Sequence, residues 1–258
     1  MLKVRVIPTL LWKDFGLVKG VGFDSWRRVG SVLPAVKVYN RRDVDELILV
    51  DICANSNAEE FDFDALNDLS DDCFLPLTVG GGISHVDHVQ KFLEAGADKI
   101  SLNTSSYRQP KLIGDIADIY GSQCVVASID VKKVNDRKWN CFSHSGTHDE
   151  QKDAVEWAQE LESHGAGELL ITSIDRDGTM SGYDLDLLRT IVDAVNIPVI
   201  GSGGAGNYKD LVDAASCGVS AVASASMYHF TEQTPAGAKS EMAKAGIAIR
   251  ENFVESNN

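Results

Sequence analysis

Residues 76–89 read PLTVGGGISHVDHV, and residues 198–211 read PVIGSGGAGNYKDL. In each stretch a short apolar run leads into a glycine-rich segment, and a polar segment of helical character follows. The two copies begin 122 residues apart (198 − 76), and the same offset places Glu46 on Glu168. An offset that recurs along the chain indicates two related halves, each a series of similar units.

Eight short apolar runs, rich in β-branched residues, predict the strands of this chain. Most are apolar at nearly every position, as expected of parallel strands that are covered on both faces. The predicted strands are 4–10, 46–52, 75–80, 99–103, 125–129, 168–173, 198–202 and 221–225. Amphipathic patterns between them predict helices at 86–95, 154–164, 185–194 and 208–215.

This alternation predicts the fold class. Eight β/α units in about 250 residues make a (β/α)8 TIM barrel, here with an internal two-fold half-barrel repeat. No linker divides the sequence, so we expect residues 1–258 to form a single barrel domain. Barrel enzymes carry their active sites at the C-terminal ends of the strands, here called the mouth, and the opposite end is called the bottom.

Composition limits the partners and the compartment. The 258 residues are 44% hydrophobic and 24% charged, which is typical of a soluble globular protein. The net charge of −14 argues against nonspecific binding to nucleic acid or to an anionic membrane. The five cysteines are scattered, and no apolar run approaches the roughly 20 residues of a membrane span. We therefore expect a cytoplasmic protein with no nucleic-acid or membrane partner.

The histidines give little evidence of a metal site. His85 and His88 lie three residues apart at the start of a predicted helix, and His144 and His148 lie in a predicted polar loop. Neither pair has a third ligand at suitable spacing, so we expect no metal and no cofactor. The chain also has no Gly-x-Cys-x-Gly nucleophile turn, so glutaminase chemistry cannot come from this chain.

Two glycine-rich loops are candidates for phosphate binding. Gly80–Gly82 and Gly203–Gly204 each follow a predicted strand and precede a helix. Glycine lets the backbone approach an anion closely at a helix N-terminus, although it also serves simple tight turns. Because the repeat relates the two loops, we favour two phosphate sites at the mouth. Asn103–Thr104 and Ala225–Ser226, which end the next strand of each half, would add donors.

Asp130 and Lys19 are the candidate catalytic residues. Asp130 ends the fifth predicted strand, where it can serve as a general acid or base or can merely cap a helix. Lys19 lies between glycines in a predicted mobile loop that could fold over an anion, although a solvated surface lysine is the plain alternative. Asp51 and Asp175 also end strands and would add to an acidic lining.

Four charged residues lie at the N-terminal ends of the first, second, fourth and sixth predicted strands, at the bottom of the predicted barrel. They are Arg5, Glu46, Lys99 and Glu168, and we call them the basal ring. Charged residues in this position usually cap the core. Two acids and two bases could also close a salt-bridged ring across the barrel axis, and such a ring can gate a channel.

A second comparison between the halves concerns position 11. When VIPTLLWKDFG (residues 6–16) is laid on VVASIDVKK (residues 125–133), an offset of 119 places Leu11 on Asp130. The offset differs by only three residues from that of the main repeat, which a loop insertion absorbs. Leucine can neither donate nor accept a proton. One half therefore lacks the carboxylate that the other half has.

These features closely resemble the family of HisF, the cyclase subunit of imidazole glycerol phosphate synthase. The resemblance covers about residues 1–250 and rests on segments such as PLTVGGGI, GADKIS, GSQCVVASID, GAGELLITSIDRDGT and PVIGSGGAG. It implies a barrel that receives ammonia from a separate HisH-like glutaminase subunit at its bottom and passes it along the axis. At the mouth, ammonia would attack a phosphorylated small molecule, a ribulosyl compound with two phosphates, and two aspartates would act as acid and base.

The resemblance also implies roles for individual residues. Asp130 corresponds to one catalytic aspartate, Lys19 to the family's loop lysine, and Asp98 to a residue of the glutaminase interface. The basal ring corresponds to the ammonia gate. The phosphate-binding residues would be Gly82, Asn103 and Thr104 at one site, and Asp177, Gly178, Gly204, Ala225 and Ser226 at the other.

The sequence departs from the family at the mouth. Leu11 stands where the second catalytic aspartate is expected, and the segments SWRRVGSVLP (residues 25–34) and SGTHDEQKD (residues 145–153) diverge. We therefore expect a HisF-like paralogue of the surface-polysaccharide type, which supplies ammonia for amidination of an acetamido sugar by a separate sugar amidotransferase. One alternative is a working histidine-pathway cyclase that uses Asp51 or Asp175. Another is a non-catalytic barrel that activates its glutaminase partner.

Overall fold

A closed barrel of eight parallel strands dominates the computed structural model, which describes residues 3–14, 16–42, 44–53 and 61–250. The predicted fold class, a (β/α)8 TIM barrel, is confirmed. In barrel order the strands are β1 (Arg5–Lys13), β4 (Leu47–Asp51), β5 (Leu77–Gly80), β6 (Lys99–Leu102), β7 (Val125–Asn135), β10 (Glu168–Ser173), β11 (Val199–Ser202) and β12 (Ala221–Ser224). The sheet closes because β12 pairs with β1 and β10 pairs with β7, both in parallel.

The remaining four strands form two antiparallel extensions where the sequence predicted loops. They are β2 (Gly16–Val21), β3 (Asp24–Gly30), β8 (Lys138–Ser143) and β9 (His148–Asp153). The loop predictions are wrong because β1 and β7 continue past the barrel rim and pair there with β2 and β8. We call β2–β3 the first hairpin and β8–β9 the second hairpin.

Each hairpin had a local signal in the sequence. The first turns at Gly22–Phe23, where both residues have positive φ (59° and 63°), as the tight two-residue hairpin turns require. In β8, Trp139, Cys141 and Ser143 are buried at alternate positions, the period of a half-buried strand. Loops were nevertheless predicted, because the glycines of the first hairpin and the charged residues of the second are typical of loops.

Ten helices are assigned within the described residues, and most of them pack around the barrel. They are α1 (Val32–Tyr39), α2 (Phe63–Ser70), α3 (Val86–Glu94), α4 (Thr104–Arg108), α5 (Lys111–Tyr120), α6 (Ala154–Ser163), α7 (Leu185–Ala194), α8 (Tyr208–Ala215), α9 (Ser226–Phe230) and α10 (Pro235–Lys244). The four helices predicted from amphipathic patterns are confirmed as α3, α6, α7 and α8. In this part of the chain no helix combines the length and the apolar character that crossing a bilayer requires.

Side-chain caps define where several helices begin. Asp153 accepts hydrogen bonds from the backbone N–H groups of Val155 and Glu156 at the start of α6. At α8, Asn207 and Asp210 form a reciprocal capping box. Such caps satisfy N–H groups that the first helical turn leaves free. The caps therefore fix where each helix leaves the mouth and turns back toward the bottom.

Strand β4 shows why the barrel strands are apolar at nearly every position. Leu47 and Leu49 point outward into the layer between barrel and helices, whereas Ile48 and Val50 point into the barrel. Both faces of the strand are thus buried, and alternation between polar and apolar residues is lost. The larger hydrophobic core lies outside the barrel, and a smaller cluster fills its axis.

Candidate functional site

The basal ring closes across the barrel axis. Arg5 lies 2.6 Å from Glu46 and also pairs with Glu168. Lys99 lies 2.9 Å from Glu46 and 3.1 Å from Glu168. Thr78 adds a hydroxyl that donates to Glu46 at 2.9 Å. Each acid therefore contacts both bases, so the structure brings all four predicted residues together.

Ion pairs hold the basal ring together although its side chains are largely buried. Desolvation works against the charge of Arg5, but Glu168 and Glu46 outweigh it and raise the pKa of the guanidinium. Buried charges persist when each has an opposite partner with good hydrogen-bond geometry. Two cations and two carboxylates balance, so the ring is a neutral, polar barrier at the bottom of the barrel.

Above the ring, the inward side chains form successive layers. Every second residue of a strand faces the axis, so the layers can be followed along single strands. On β1 the inward sequence from the bottom is Arg5, Ile7, Thr9 and Leu11. On β10 it is Glu168, Leu170 and Thr172, and on β7 it is Val126, Ser128 and Asp130. From bottom to mouth, the axis therefore passes a charged ring, an apolar layer and a hydroxyl layer.

A large cavity opens at the mouth above these layers. The open space that it encloses, counted out into the solvent at its entrance, is about 1180 Å³. All eight predicted phosphate-binding residues line it, as do Lys19, Leu11 and Asp130. We call it the mouth cavity.

Asp130 faces the mouth cavity from β7, which continues beyond it instead of ending there as predicted. Its Oδ2 accepts a hydrogen bond of 2.7 Å from the side-chain amide of Asn103. Desolvation, and next the charge of Asp177, raise its pKa to about 7, although hydrogen bonds from Asn103, Thr172 and Ser128 oppose the shift. A carboxyl group with this pKa can give or take a proton near neutral pH.

Lys19 is not part of a mobile loop, and that prediction is wrong. It lies in β2 with only 2% of its surface exposed, and its Nζ is 2.5 Å from Oδ2 of Asp177. The backbone continues the contact, because the Gly22 N–H donates to the Asp177 carbonyl oxygen at 2.9 Å. Burial raises the pKa of Asp177, and Lys19 opposes that shift. The first hairpin is therefore fastened over the mouth cavity by a buried ion pair.

The glycine loops take conformations that other residues would strain. Gly81 has φ of 120°, and a Cβ there would lie 2.5 Å from the Asp51 carbonyl oxygen. Gly204 has φ of 113°, and a Cβ there would lie 2.2 Å from the Gly182 carbonyl oxygen. These are positions that only glycine fits, which leaves backbone facing the mouth cavity. The tight-turn reading and the phosphate reading are both compatible with this geometry.

The second-half loop also presents a hydroxyl group without a partner. The side-chain oxygen of Ser226 is buried and has no hydrogen-bond partner within the described residues. Ser226 lines the mouth cavity together with Gly204. Buried polar atoms are normally satisfied, so an unpartnered hydroxyl here is compatible with a polar ligand. In the first half, by contrast, the Asn103 amide is already engaged by Asp130.

Asp51 and Asp175, the two carboxylates that could replace the aspartate missing at position 11, lie in different environments. Asp51 lines the mouth cavity and accepts from the Cys53 N–H at 2.8 Å. Asp175 is turned toward β7, where it accepts from the Lys133 N–H at 2.8 Å, and it does not belong to the described lining. Its expected place in the acidic lining is therefore wrong. Asp177, which the sequence associated only with phosphate, is the carboxylate whose charge acts on Asp130.

An apolar group in the mouth cavity was missed from the sequence. Phe23 and Trp26, both from the first hairpin, line the cavity together with Leu11. A Cβ on Gly146 of the second hairpin would lie 2.9 Å from the Phe23 ring, so the two hairpins meet there. The two aromatic residues of GFDSWRRVG (residues 22–30) gave a possible signal, but only the folded hairpin turns them inward.

Asp98 and several apolar side chains lie at the opposite end. Asp98 is exposed at the bottom just before β6, and its carboxylate accepts from the Leu77 N–H at 2.8 Å. Phe74 is 83% exposed near the start of β5, and Ile119 is 63% exposed at the end of α5. Single exposed apolar residues are common on protein surfaces, so Phe74 and Ile119 bear on a partner only together with the basal ring at the same end.

The fold and the cavity define this chain as a (β/α)8 barrel with an open cavity at its mouth and a charged ring at its bottom. A family model described as histidine biosynthesis protein matches residues 5–234. The chain therefore belongs to the histidine biosynthesis protein family, which comprises enzymes of the HisA and HisF type. The match and the eight-stranded parallel barrel fit a HisF-like protein, as the sequence motifs predicted.

Proposed function

We propose that this protein is the barrel subunit of a glutamine-dependent amidotransferase system. In this proposal it receives ammonia from a HisH-like glutaminase subunit at its bottom and releases it at its mouth to an acceptor outside histidine biosynthesis. The observation that carries the proposal is the contrast between the two ends. The basal ring is complete, whereas Leu11 occupies the position where the family's cyclisation needs a second carboxylate.

The layers along the barrel axis support passage of neutral ammonia. An ammonium ion would lose its hydration in the apolar layer around Ile7, Ile48 and Leu170, which is costly without a partner. Ammonia is uncharged, so leaving water for this layer costs it far less hydration free energy. The hydroxyl layer above, which includes Ser128 and Thr172, offers it hydrogen bonds before it reaches the mouth cavity. Opening the basal ring would be the controlled step.

The bottom surface supports a protein partner. Phe74 and Ile119 are exposed near Asp98, at the end where the basal ring closes the axis. A partner seated there would cover apolar surface and deliver its product directly at the ring. We propose a glutaminase as this partner because the sequence motifs resemble HisF in particular, whose barrel receives ammonia from such a subunit.

For the acceptor, we propose amidination of an acetamido sugar in surface-polysaccharide biosynthesis, performed by a separate sugar amidotransferase. This reaction forms a bond between ammonia nitrogen and the amide carbon of the acetamido group. The carbon–oxygen bond breaks, and the oxygen leaves as water in the net reaction, after activation by the separate amidotransferase. The barrel would only have to supply ammonia, so the loss of the carboxylate at Leu11 would not matter. Divergence of both hairpins at the mouth is consistent with a changed acceptor.

A second candidate is a histidine-pathway cyclase that works without an aspartate at position 11. The observation in its favour is that Asp130, Lys19 and Asp177 lie together in the mouth cavity, and that the pKa of Asp130 is about 7. Asp177 would then serve in the place considered for Asp51 or Asp175. A barrel that only activates the glutaminase differs from both, because its ammonia would not need the barrel axis.

The test is reconstitution with the cognate HisH-like glutaminase. We expect the two chains to copurify, and we expect glutamine hydrolysis by the glutaminase to rise when the barrel is added. If no complex forms at micromolar concentrations, the proposal fails. A bulky substitution in the apolar layer, Ile48→Trp, separates transport from activation, because it should block ammonia delivery but leave glutamine hydrolysis intact.

A further inference from the structure

A second cavity adjoins the mouth cavity on the side of the first-half loop. It lies between α4 and the second hairpin, and its lining includes Tyr107, Arg108, His144, His148 and Glu150. We call it the side pocket. Ile52 and Ser145 line both cavities, so the two adjoin each other.

The side pocket lies directly beside the first-half candidate phosphate site. The backbone N–H of His144 donates to Oγ1 of Thr104 at 3.1 Å, which ties the second hairpin to the start of α4. Arg108 is four residues after Thr104 in the same helix, so both side chains lie on one face. A ligand group bound at Thr104 is therefore about one helical turn from Arg108.

The side pocket contains one cation, Arg108, and one carboxylate, Glu150, besides two histidines. The Glu150 carboxylate accepts a hydrogen bond from the Ser143 hydroxyl within the second hairpin. Within residues 3–14, 16–42, 44–53 and 61–250, no carboxylate lies within ion-pair distance of Arg108. The arginine is thus a cation without a counter-ion in this part of the structure.

His144 holds Arg108 in place and leaves most of its donors free. Nη2 of Arg108 lies 3.0 Å from Nε2 of His144. A guanidinium group only donates, so Nε2 is the acceptor and the imidazole carries its proton on Nδ1. The backbone of the turn is strained, since His144 and Ser145 have φ of 51° and 55°. Residues held in such conformations are frequent where a side chain must be placed for function.

From this arrangement we infer that the side pocket binds a second phosphate of the mouth ligand, which therefore carries a diphosphate group. The first phosphate sits against Gly82 and Thr104, so the inference rests on that part of the proposed function. The second sits against Arg108, whose planar fork of donors matches phosphate oxygens, with His148 beside it. A diphosphate is the common activating group of sugars, which agrees with a sugar-derived acceptor.

The test compares inorganic phosphate with inorganic pyrophosphate by calorimetric titration of the intact chain. We expect pyrophosphate to bind at least about tenfold more tightly, a difference of ~1.4 kcal/mol. Arg108→Gln should remove this preference and leave phosphate affinity unchanged. Arg108 is exposed, so the variant should fold. Arg189→Gln is the matched control, since it removes an exposed arginine on α7 that pairs only with Asp186 among the described residues.

Each outcome decides the inference. The inference is supported if Arg108→Gln loses the preference for pyrophosphate and Arg189→Gln keeps it. Crystals grown with pyrophosphate should then place one phosphorus near Thr104 and the other near Arg108. If wild type has no preference, or Arg108→Gln keeps it, the side pocket is not a phosphate site although the mouth sites stand. If neither anion binds, the mouth sites fail too, whereas the glutaminase complex remains a separate question.

Discussion

Leu11 is the residue on which the choice of reaction depends. It lies in register with Val50 of β4 and Val18 of β2, at the edge of the mouth cavity. Asp130 lies at the corresponding place in the other half, in register with Thr172. The two halves of the barrel thus present one aliphatic and one ionisable group to the same ligand, and a single carboxyl group cannot act as acid and base at once.

We expect the isolated protein with saturating ammonium chloride to form imidazole glycerol phosphate at least ~10²-fold more slowly than a two-aspartate family member, because one positioned proton-transfer group is missing. Product formation from the ribulosyl substrate measures this. Leu11→Asp should not restore the rate, since both hairpins differ as well. A rate within about tenfold of that control, only ~1.4 kcal/mol in activation energy, would favour the histidine-pathway alternative.

The raised pKa of Asp130 predicts a pH-dependent stability. The folded protein keeps this carboxyl protonated up to about pH 7, whereas the ordinary pKa is 3.8. The folded state thus binds the extra proton, so the contribution is complete below about pH 4 and is lost as pH rises toward 7. By pH 8 the loss approaches roughly 4 kcal/mol at most.

Asp130→Asn removes this dependence, because an amide does not titrate. Its melting temperature relative to wild type should therefore rise between about pH 5 and about pH 8. Thermal denaturation at both pH values measures the change. Asp136→Asn, at the exposed turn between β7 and β8, is the control and should show no such trend. An equal difference at both pH values for Asp130→Asn would refute the raised pKa.

At the scale of elements, the first hairpin is held over the mouth by the pair Lys19–Asp177. We expect Lys19→Met to speed hydrogen exchange across residues 16–30 and to lower stability by about 3 kcal/mol, because it leaves a buried carboxylate without its partner. Mass spectrometry of exchanged peptides measures the local change. The double variant Lys19→Met/Asp177→Leu should recover part of the loss, whereas exposed Lys209→Met should change neither property. Unchanged exchange in Lys19→Met would mean that other contacts hold the hairpin.

The glycine loops give a second prediction at this scale. A crystal grown with phosphate or sulfate should contain an anion against Gly204, Ala225 and Ser226. The reason is that this loop offers backbone N–H groups, and the Ser226 hydroxyl is buried without a partner in the described part of the chain. Density that is empty at both glycine loops would contradict the phosphate reading and leave the tight-turn reading.

At the scale of the whole molecule, the two ends differ: Leu11 and the two hairpins lie at the mouth, whereas the basal ring and exposed Phe74 and Ile119 lie at the bottom. We expect Phe74→Glu to weaken glutaminase binding by at least about tenfold, since it places a charge in an interface that would bury an aromatic ring. Sedimentation or calorimetry with the glutaminase measures this. Val134→Glu, an exposed apolar residue of β7 beyond the barrel rim at the mouth end, is the control. Equal weakening by both variants would argue against docking at the bottom.

The barrel and much of the site followed from the sequence alone. Parallel strands buried on both faces give continuous apolar runs, and strand ends meet at one edge, so Arg5, Glu46, Lys99 and Glu168 could be grouped without coordinates. The repeat also placed Leu11 opposite Asp130. These predictions succeeded because they depend on hydrophobic periodicity, internal repetition and chain order, all of which can be read from the sequence without coordinates.

Only the tertiary structure decided which contacts cover the mouth and which charged groups meet there. Lys19 was predicted in a mobile loop because its neighbours are glycines, but it is buried against Asp177, 158 residues away. Arg108 likewise contacts His144, and the charge of Asp177 raises the pKa of Asp130. Each of these pairs joins residues from separate β/α units. Such contacts depend on which side chains meet across the mouth, and burial sets their energies. No pattern of nearby residues encodes either property.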